Sequence, residues 1–143
     1  PCLLYQGRYN LLDRSVEEKG LLQQAEANGT GFIAFSPLAQ GLLSGRYLDG
    51  IPADSRVARG GFLKAEALTG EVMGRVRALN EVARRRGQTL AEMALAWLLK
   101  DRLVTSVIVG VSSVVQLDDN LAALRCTDFS EDELAEIENI ISK

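Results

Sequence analysis

In Gly31-Phe32-Ile33-Ala34-Phe35-Ser36-Pro37-Leu38-Ala39-Gln40-Gly41-Leu42-Leu43-Ser44-Gly45-Arg46-Tyr47 a buried strand runs directly into a loop suited to close backbone contact. Gly31 to Phe35 is a short apolar run with β-favouring Phe and Ile, and Pro37 forbids further ladder pairing, so the strand stops near Ser36. The loop beyond carries Ser36, Gly41, Ser44, Gly45 and Arg46. Hydroxyl donors, permissive backbone and a fixed positive charge together suit an anionic ligand.

Working outward, residues 2 to 6 read as an earlier strand. Ser15-Val16-Glu17-Glu18 reads as a capping box that opens a helix over about 16 to 27, closed by Asn28-Gly29. Strand, helix and strand in so compact a spacing imply parallel pairing with a right-handed crossover. Residues 36 to 69 form a long irregular segment of the kind used as a lid or binding loop. A helical apolar spacing follows from Glu71 to Arg86. A capping box at Thr89 to Glu92 then opens a helix whose apolar face is Leu90, Met93, Ala94, Trp97 and Leu98, with Trp97 read as core. Val104 to Val109 is a β-branched strand ended by Gly110. Ser113 to Gln116 reads as a third capping box, for a helix to about Leu124 with Leu117, Leu121 and Leu124 on its apolar face. Ser130 caps a last helix that turns Leu134, Ile137, Ile140 and Ile141 inward. The order β-α-β-loop-α-α-β-α-α makes this an α/β chain with a parallel sheet.

The chain has 143 residues, 47% of them apolar and 24% charged, which is the composition of one globular domain. A net charge of -3 argues against a nucleic-acid partner, and Arg84-Arg85-Arg86 reads as a solvated helix end. No apolar run approaches the ~20 residues of a membrane span, and no signal peptide is evident, so the expectation is a cytoplasmic protein without a membrane partner. Cys2 and Cys126 lack metal-ligand spacing and the chain holds no His, which leaves two thiols and no metal site. The start at Pro1 rather than Met, and the lack of His for acid-base work, both point to a piece of a longer protein.

In a parallel sheet the loops after residues 31–35 and 104–109 emerge at one edge, where α/β proteins hold ligands. The helix start at Val111-Ser112-Ser113 offers unpaired N–H groups to an anion, and Arg46 and Arg56 are candidates to meet it. Each feature also has a plainer reading. Ser113 and Gln116 can simply close a capping box, Arg46 and Arg56 can be solvated, Gln6 can be an edge-strand polar residue, Phe35 can be core, and Asp118-Asp119 can be a solvated face.

Phe35-Ser36-Pro37-Leu38-Ala39-Gln40-Gly41-Leu42-Leu43-Ser44-Gly45-Arg46-Tyr47 resembles the loop after the seventh strand of the aldo-keto reductases. Ile108-Val109-Gly110-Val111-Ser112-Ser113, with Gln116-Leu117-Asp118-Asp119-Asn120-Leu121, resembles their eighth strand and the helix that follows. Gln6 with Tyr9-Asn10-Leu11-Leu12-Asp13-Arg14 is similar to the sixth strand and its exit. The resemblance implies the C-terminal portion of a (β/α)8 barrel, strands six to eight with their helices, occupying residues 1–143 as one partial barrel whose N-terminal half is absent. Within the family, Gly50-Ile51-Pro52 and Ser55-Arg56 are most similar to the branch of bacterial L-glyceraldehyde 3-phosphate reductases and voltage-gated potassium channel β subunits.

The resemblance further implies an NADP(H) site, with NAD the lesser candidate. In it Gln6 bonds the nicotinamide carboxamide and Phe35 stacks on the ring. Ser36, Pro37, Leu38, Gln40, Ser44 and Arg46 line the pyrophosphate, and Arg56 lies near the adenine end. Gly110 and Ser112 surround the 2'-phosphate, while Gln116, Asp119 and Asn120 hold the adenine and its ribose. Ser113, where close relatives often carry Arg or Asn, and Val114-Val115 depart from the family pattern and bear on the choice of NADP over NAD. The family's Asp, Tyr, Lys and His tetrad belongs to the first half of the barrel, so no catalytic residue is assigned. The implied function is reduction of a small carbonyl compound by hydride transfer, with this chain supplying the cofactor-binding half and inactive alone. The alternatives are a nucleotide-sensing regulatory subunit or an inactive gene fragment, and a second copy is a candidate to cover open sheet edges.

Overall fold

The computed structural model describes residues 2–52 and 68–142. Three strands, β1 (Leu4–Arg8), β2 (Gly31–Phe35) and β3 (Ser106–Val107), form one parallel sheet in the order β1-β2-β3. Register pairs Gln6 with Ile33 and Arg8 with Phe35, and Ile33 in turn with Ser106. Side chains alternate across a strand, and here the alternation separates two environments. Phe32 and Ala34 are fully buried against the helices. Gln6 and Arg8 are exposed and Ile33 and Phe35 half-buried on the opposite face, which no helix among the described residues covers.

The expected first helix is two: α1 (Ser15–Glu18) and α2 (Leu21–Ala27). Gly20, with φ of 67°, breaks the run, a left-handed backbone that Gly adopts without a Cβ penalty. The expected Ser15-Glu18 capping box does not form, because Ser15 lies inside α1 and gives both its N–H and its hydroxyl to Asp13. Glu17 turns instead to Arg14, in a two-pronged pair at 2.7 and 2.8 Å, and accepts the Tyr9 hydroxyl at 2.9 Å. The Asn28-Gly29 ending is as expected, with Gly29 left-handed.

Helices α3 (Gly70–Arg85), α4 (Leu90–Leu98) and α6 (Glu131–Ile141) sit where their apolar spacing and caps put them. Thr89 with Glu92, and Ser130 with Glu133, close true capping boxes. Seven of the nine residues of α4 are buried, so it is the central helix of the layer rather than a one-sided one. Trp97 is core, as expected, packed against Tyr9 with ring centroids 5.4 Å apart and flanked by Arg14 and Lys100. Gly7 leaves room for the Phe32 ring of the neighbouring strand: a Cβ there would lie 2.9 Å from Phe32 Cζ.

Three further expectations need correction. The strand over 104–109 shrinks to Ser106–Val107, although Thr105 N–H still bonds Phe32 O and Ile108 N–H bonds Ala34 O. Three residues on one strand thus span two on the other, a bulge that interrupts the ladder. The basic run is not uniformly solvated. Arg84 and Arg85 are exposed, but the Arg86 side chain is only 4% exposed and bonds Glu133 at 2.7 Å, the Asp128 carbonyl at 2.9 Å and the Phe129 ring face. It holds the segment leading into α6. Finally, α5 (Val114–Ala122) and the 3-10 turn Ala123–Arg125 do not bury Leu117, Leu121 and Leu124, which are 38%, 52% and 60% exposed. Asn120 and Ala123 face the core in their place.

Candidate functional site

The three strands run parallel, so their C-terminal ends lie along one edge of the sheet, and the loops leaving that edge carry the expected site residues. After β2 the backbone is unusually strained. Ser36, Ala39 and Gln40 have φ of 53°, 47° and 58°, and Gly41 and Gly45 are left-handed as well. Non-glycine residues held in this region each cost roughly 1–3 kcal/mol and persist only where the surroundings enforce them. The surroundings here are visible. Pro37, Leu42, Leu43 and Tyr47 are buried, anchoring the 3-10 segment Ala39–Ser44 against α4.

Asn10 is the second anchor. It is 2% exposed, and both ends of its side-chain amide set loop geometry. Its Nδ2 donates to the Ser36 carbonyl at 2.9 Å, and its Oδ1 accepts from the N–H groups of Leu12 and Asp13, both at 2.9 Å. One buried amide therefore ties the exit of β1 to the strained first residue of the β2 loop. Asn10 belongs to a stretch that resembles the family's sixth-strand exit, but its anchoring role is not evident from the sequence. The available signal is a polar residue two positions beyond β1, set between the apolar Tyr9 and Leu11.

Between these loops lies a cavity of about 250 Å³ bordered by Arg8, Asn10, Asp13, Ser36, Gln40 and Leu42 among others. Phe35 ends β2 half-buried on the open face, beside Arg8 and one step up from the Gln6–Ile33 pair. Pro37 is buried, Leu38 and Gln40 are half-buried, and Arg46 is exposed. Ser44 donates its hydroxyl to the Gly41 carbonyl at 2.6 Å, tightening the turn that presents Arg46. A larger open groove, about 570 Å³, runs along α3 past Arg77, Glu81 and Arg84 to Asp49. It lacks the expected residues and lies on the helix flank, whereas the smaller cavity adjoins the strand ends and strained backbone.

The β3 exit is built differently. Ser113 accepts from Gln116 N–H at 3.1 Å as an N-cap, but the Gln116 side chain reaches back to Ser112, accepting from its N–H at 2.8 Å and its hydroxyl at 3.2 Å. The expected box is thus shifted by one residue, and Gln116 orders the loop ahead of the helix. Gly110, Ser112 and Asp119 are exposed, and Asn120 is buried on the inner face of α5. None of these residues borders the 250 Å³ cavity. Arg56 lies outside the described residues.

Electrostatic perturbation concentrates beneath the site. Burial holds the Tyr9 phenol far above its ordinary value, and the Glu17 carboxylate adds to the effect. The Arg14 hydrogen bonds hold Glu17 below the usual carboxylate range, against the opposing pull of burial. Tyr9 lies on the helix-covered face with its hydroxyl committed to Glu17, so it supports the sheet from below. Among the described residues no cluster of three His, Cys, Asp or Glu side chains is placed to hold a metal, and no helix is long and apolar enough to cross a membrane.

The profile of the Aldo/keto reductase family matches residues 1–142. L-glyceraldehyde 3-phosphate reductase of Escherichia coli K12 is 51% identical over 146 residues, covering 99% of this chain and 42% of that protein. A putative voltage-gated potassium channel subunit β of Schizosaccharomyces pombe is 34% identical over 131 residues, covering 86% of this chain and 37% of its own length. A crystal structure of a thermostable aldo-keto reductase with the inhibitor epalrestat is similar at a TM-score of 0.68 and 26% identity, over 98% of this chain and 40% of that one. The chain thus spans about two fifths of the length of the relatives it matches, 42% of the reductase and 37% of the channel subunit.

Proposed function

Because the chain belongs to the aldo-keto reductase family, we propose that it is the cofactor-gripping C-terminal part of a (β/α)8 barrel, strands six to eight, acting in an NADP(H)-dependent reduction of a small carbonyl compound. The observation that carries this reading is the strained, doubly anchored loop at Ser36 to Arg46, opening beside Phe35 on an uncovered sheet face. Its donor set fits a dinucleotide. Arg46 supplies fixed positive charge, Ser36, Gln40 and Ser44 supply hydroxyl and amide groups, and Phe35 offers a ring to a flat heterocycle.

In this reading the dinucleotide, when bound, supplies the hydride. Gln6 orients the carboxamide, and Phe35 supports one face of the nicotinamide. Ser36, Pro37, Leu38, Gln40, Ser44 and Arg46 enclose the pyrophosphate. Gly110 and Ser112 receive the 2'-phosphate, and Gln116, Asp119 and Asn120 the adenosine, with Arg56 toward the adenine. The chain's part is binding and orientation, since the residues that would move a proton belong to barrel segments it does not supply. A second reading, a nucleotide-sensing subunit, draws on the channel β subunits at 34% to 36% identity, but the 51% relatives are reductases by name. A second copy of the chain is the proposed cover for its open sheet edges.

Fluorescence titration with NADPH and NADH tests the cofactor assignment. NADPH is expected to bind more tightly than NADH, and Arg46→Ala to weaken it about tenfold through loss of a charge-assisted contact. Binding of neither dinucleotide would overturn the reading. The purified chain is expected to reduce no carbonyl compound above the blank, and measurable turnover would contradict a purely cofactor-binding part.

A further inference from the structure

Exposed apolar surface in this chain gathers at the two edges of the sheet. Among the described residues eleven large apolar side chains are exposed, and ten of them fall in two stretches. Leu3, Leu4 and Tyr5 lie where β1 begins, and the other seven lie between Ile108 and Leu124, at the β3 exit and along α5. β1 and β3 are the outer strands of the order β1-β2-β3, each with a neighbour on one side only among the described residues. Apolar residues exposed singly need no explanation, whereas contiguous patches mark interaction sites.

The two patches differ in what they lack. In a parallel sheet the helix leaving a strand packs back over the sheet, toward the next strand. α2, which follows β1, lies against β2 in this way. α5 follows β3 and packs against α4, but no further strand stands beside β3 among the described residues. Val114, Leu117 and Leu121 recur at i, i+3 and i+7, so they form one stripe, and all three are exposed. It is a helix flank that no strand covers. β1 offers the converse. Tyr5 points to the helix-covered face, its ring 5.7 Å from that of the buried Phe32, yet it stays exposed. Free strand edges are ordinarily blunted by charge, Pro or a bulge, and Leu3-Leu4-Tyr5 carries none of these.

We infer that a second copy of this chain docks head to tail, its β1 extending the sheet in parallel beyond β3 and its Leu3 and Tyr5 filling the bare stripe of α5. This rests on the reading that a second copy covers the open edges, and it adds which edge meets which. Two α5 stripes set face to face would leave both strand edges open, whereas the head-to-tail contact covers a stripe and a strand edge at once. A specific interface clears about 1,000 Å² of total buried surface, and ten large apolar side chains that are 38% to 79% exposed supply area of that order. That is the low end for a specific contact, so it forms at high chain concentration and leaves the dilute chain single. A contact that joins two different surfaces also repeats, closing into a ring or running on as a filament.

Sedimentation velocity over a range of chain concentrations tests this, because a head-to-tail contact has a signature that a symmetric one lacks. Wild type is expected to gain mass as concentration rises. Leu3→Asp, at the β1 edge, and Leu121→Asp, on α5, are each expected to stay single chains by themselves. Mixed in equal amounts they are expected to form a one-to-one dimer and nothing larger, since the intact stripe of the first accepts the intact edge of the second. Both sites are more than half exposed, so the dilute variants are expected to melt with wild type. Tyr5→Asp and Leu124→Asp repeat the test at the same two patches should either of the first pair fail to fold. Wild type that stays a single chain at every concentration overturns both this inference and the second-copy reading. Wild type that associates while Leu3→Asp associates equally, or a mixture that forms no dimer, overturns the head-to-tail arrangement and leaves a second copy as the cover.

Discussion

The loops after β2 and β3 leave the same edge of one sheet, yet only the first is built into the core. Residues 36 to 47 hold a strained backbone in place with buried Leu42, Leu43 and Tyr47 and the Asn10 amide. Residues 110 to 125 are ordered by local hydrogen bonds among Ser112, Ser113 and Gln116, while Val114, Val115, Leu121 and Leu124 stay more than half exposed. The first loop is thus preorganised by tertiary packing. The second is a helix whose apolar side finds no partner among the described residues. Preorganisation lowers the ordering cost of binding, so the β2 loop is the part that this chain can present unaided.

The sharpest way to break that contrast is a pair of truncations. Leu43→Ala, at a fully buried site, is expected to cost about 2–5 kcal/mol in urea unfolding. Leu121→Ala, at a site 52% exposed, should stay within about 0.5 kcal/mol. Equal losses would mean that α5 is as much a part of the core as the β2 loop.

Next in size is Asn10→Ala, which strands the Ser36 carbonyl and two N–H groups at a buried site. An orphaned buried group costs about 1–3 kcal/mol, so a loss of that order or somewhat above is expected. NADPH affinity should fall at the same time, because Ser36 loses its tether. A variant with unchanged stability and unchanged NADPH binding would show that the strained loop does not depend on Asn10.

The pH dependence belongs to the core side. The Tyr9 phenol is raised by burial, so its contribution to stability is present below about pH 10 and is lost as pH rises further, when the unfolded chain ionises first. Glu17 is lowered, chiefly by Arg14. Its contribution is present above the ordinary carboxylate value near 4.3 and is lost as pH falls through the lower folded value. Thermal melts are expected to show both limbs, and Tyr9→Phe to flatten the alkaline one. An alkaline limb unchanged in Tyr9→Phe would place its origin elsewhere.

The smallest effect is expected at the β3 exit. Ser113→Ala removes the N-cap of α5, worth about 1 kcal/mol, and should speed amide exchange in the first turn of α5 while leaving peptides from residues 31–47 unchanged. Slower folding or faster exchange throughout the chain would show that the second loop is wired to the first.

Much of this architecture was legible in the sequence. The strand at 31–35, the helix over Glu71 to Arg86, the helices after Thr89 and Ser130 and the parallel order are set by local patterns that tertiary packing then reinforces. Readings failed where local chemistry had an equally good alternative. Ser15 chose Asp13 over a capping box, Gly20 broke a periodic run, and Arg86, one of three adjacent arginines, was buried by Phe129 and Glu133 from a segment some 45 residues away in sequence. The candidate site was legible as residue types, but its organisation was not. Which face of β1 carries Arg8, and which carbonyl Asn10 holds, depend on register and a long-range contact.

The most direct test of the contrast is hydrogen exchange followed by mass spectrometry, with and without saturating NADPH. Slower exchange is expected in peptides covering residues 35–46 and 110–120, with the smaller change in the first, already constrained loop. No change in either region, or protection confined to the α3 groove around Arg77 and Arg84, would contradict a cofactor site at the strand ends.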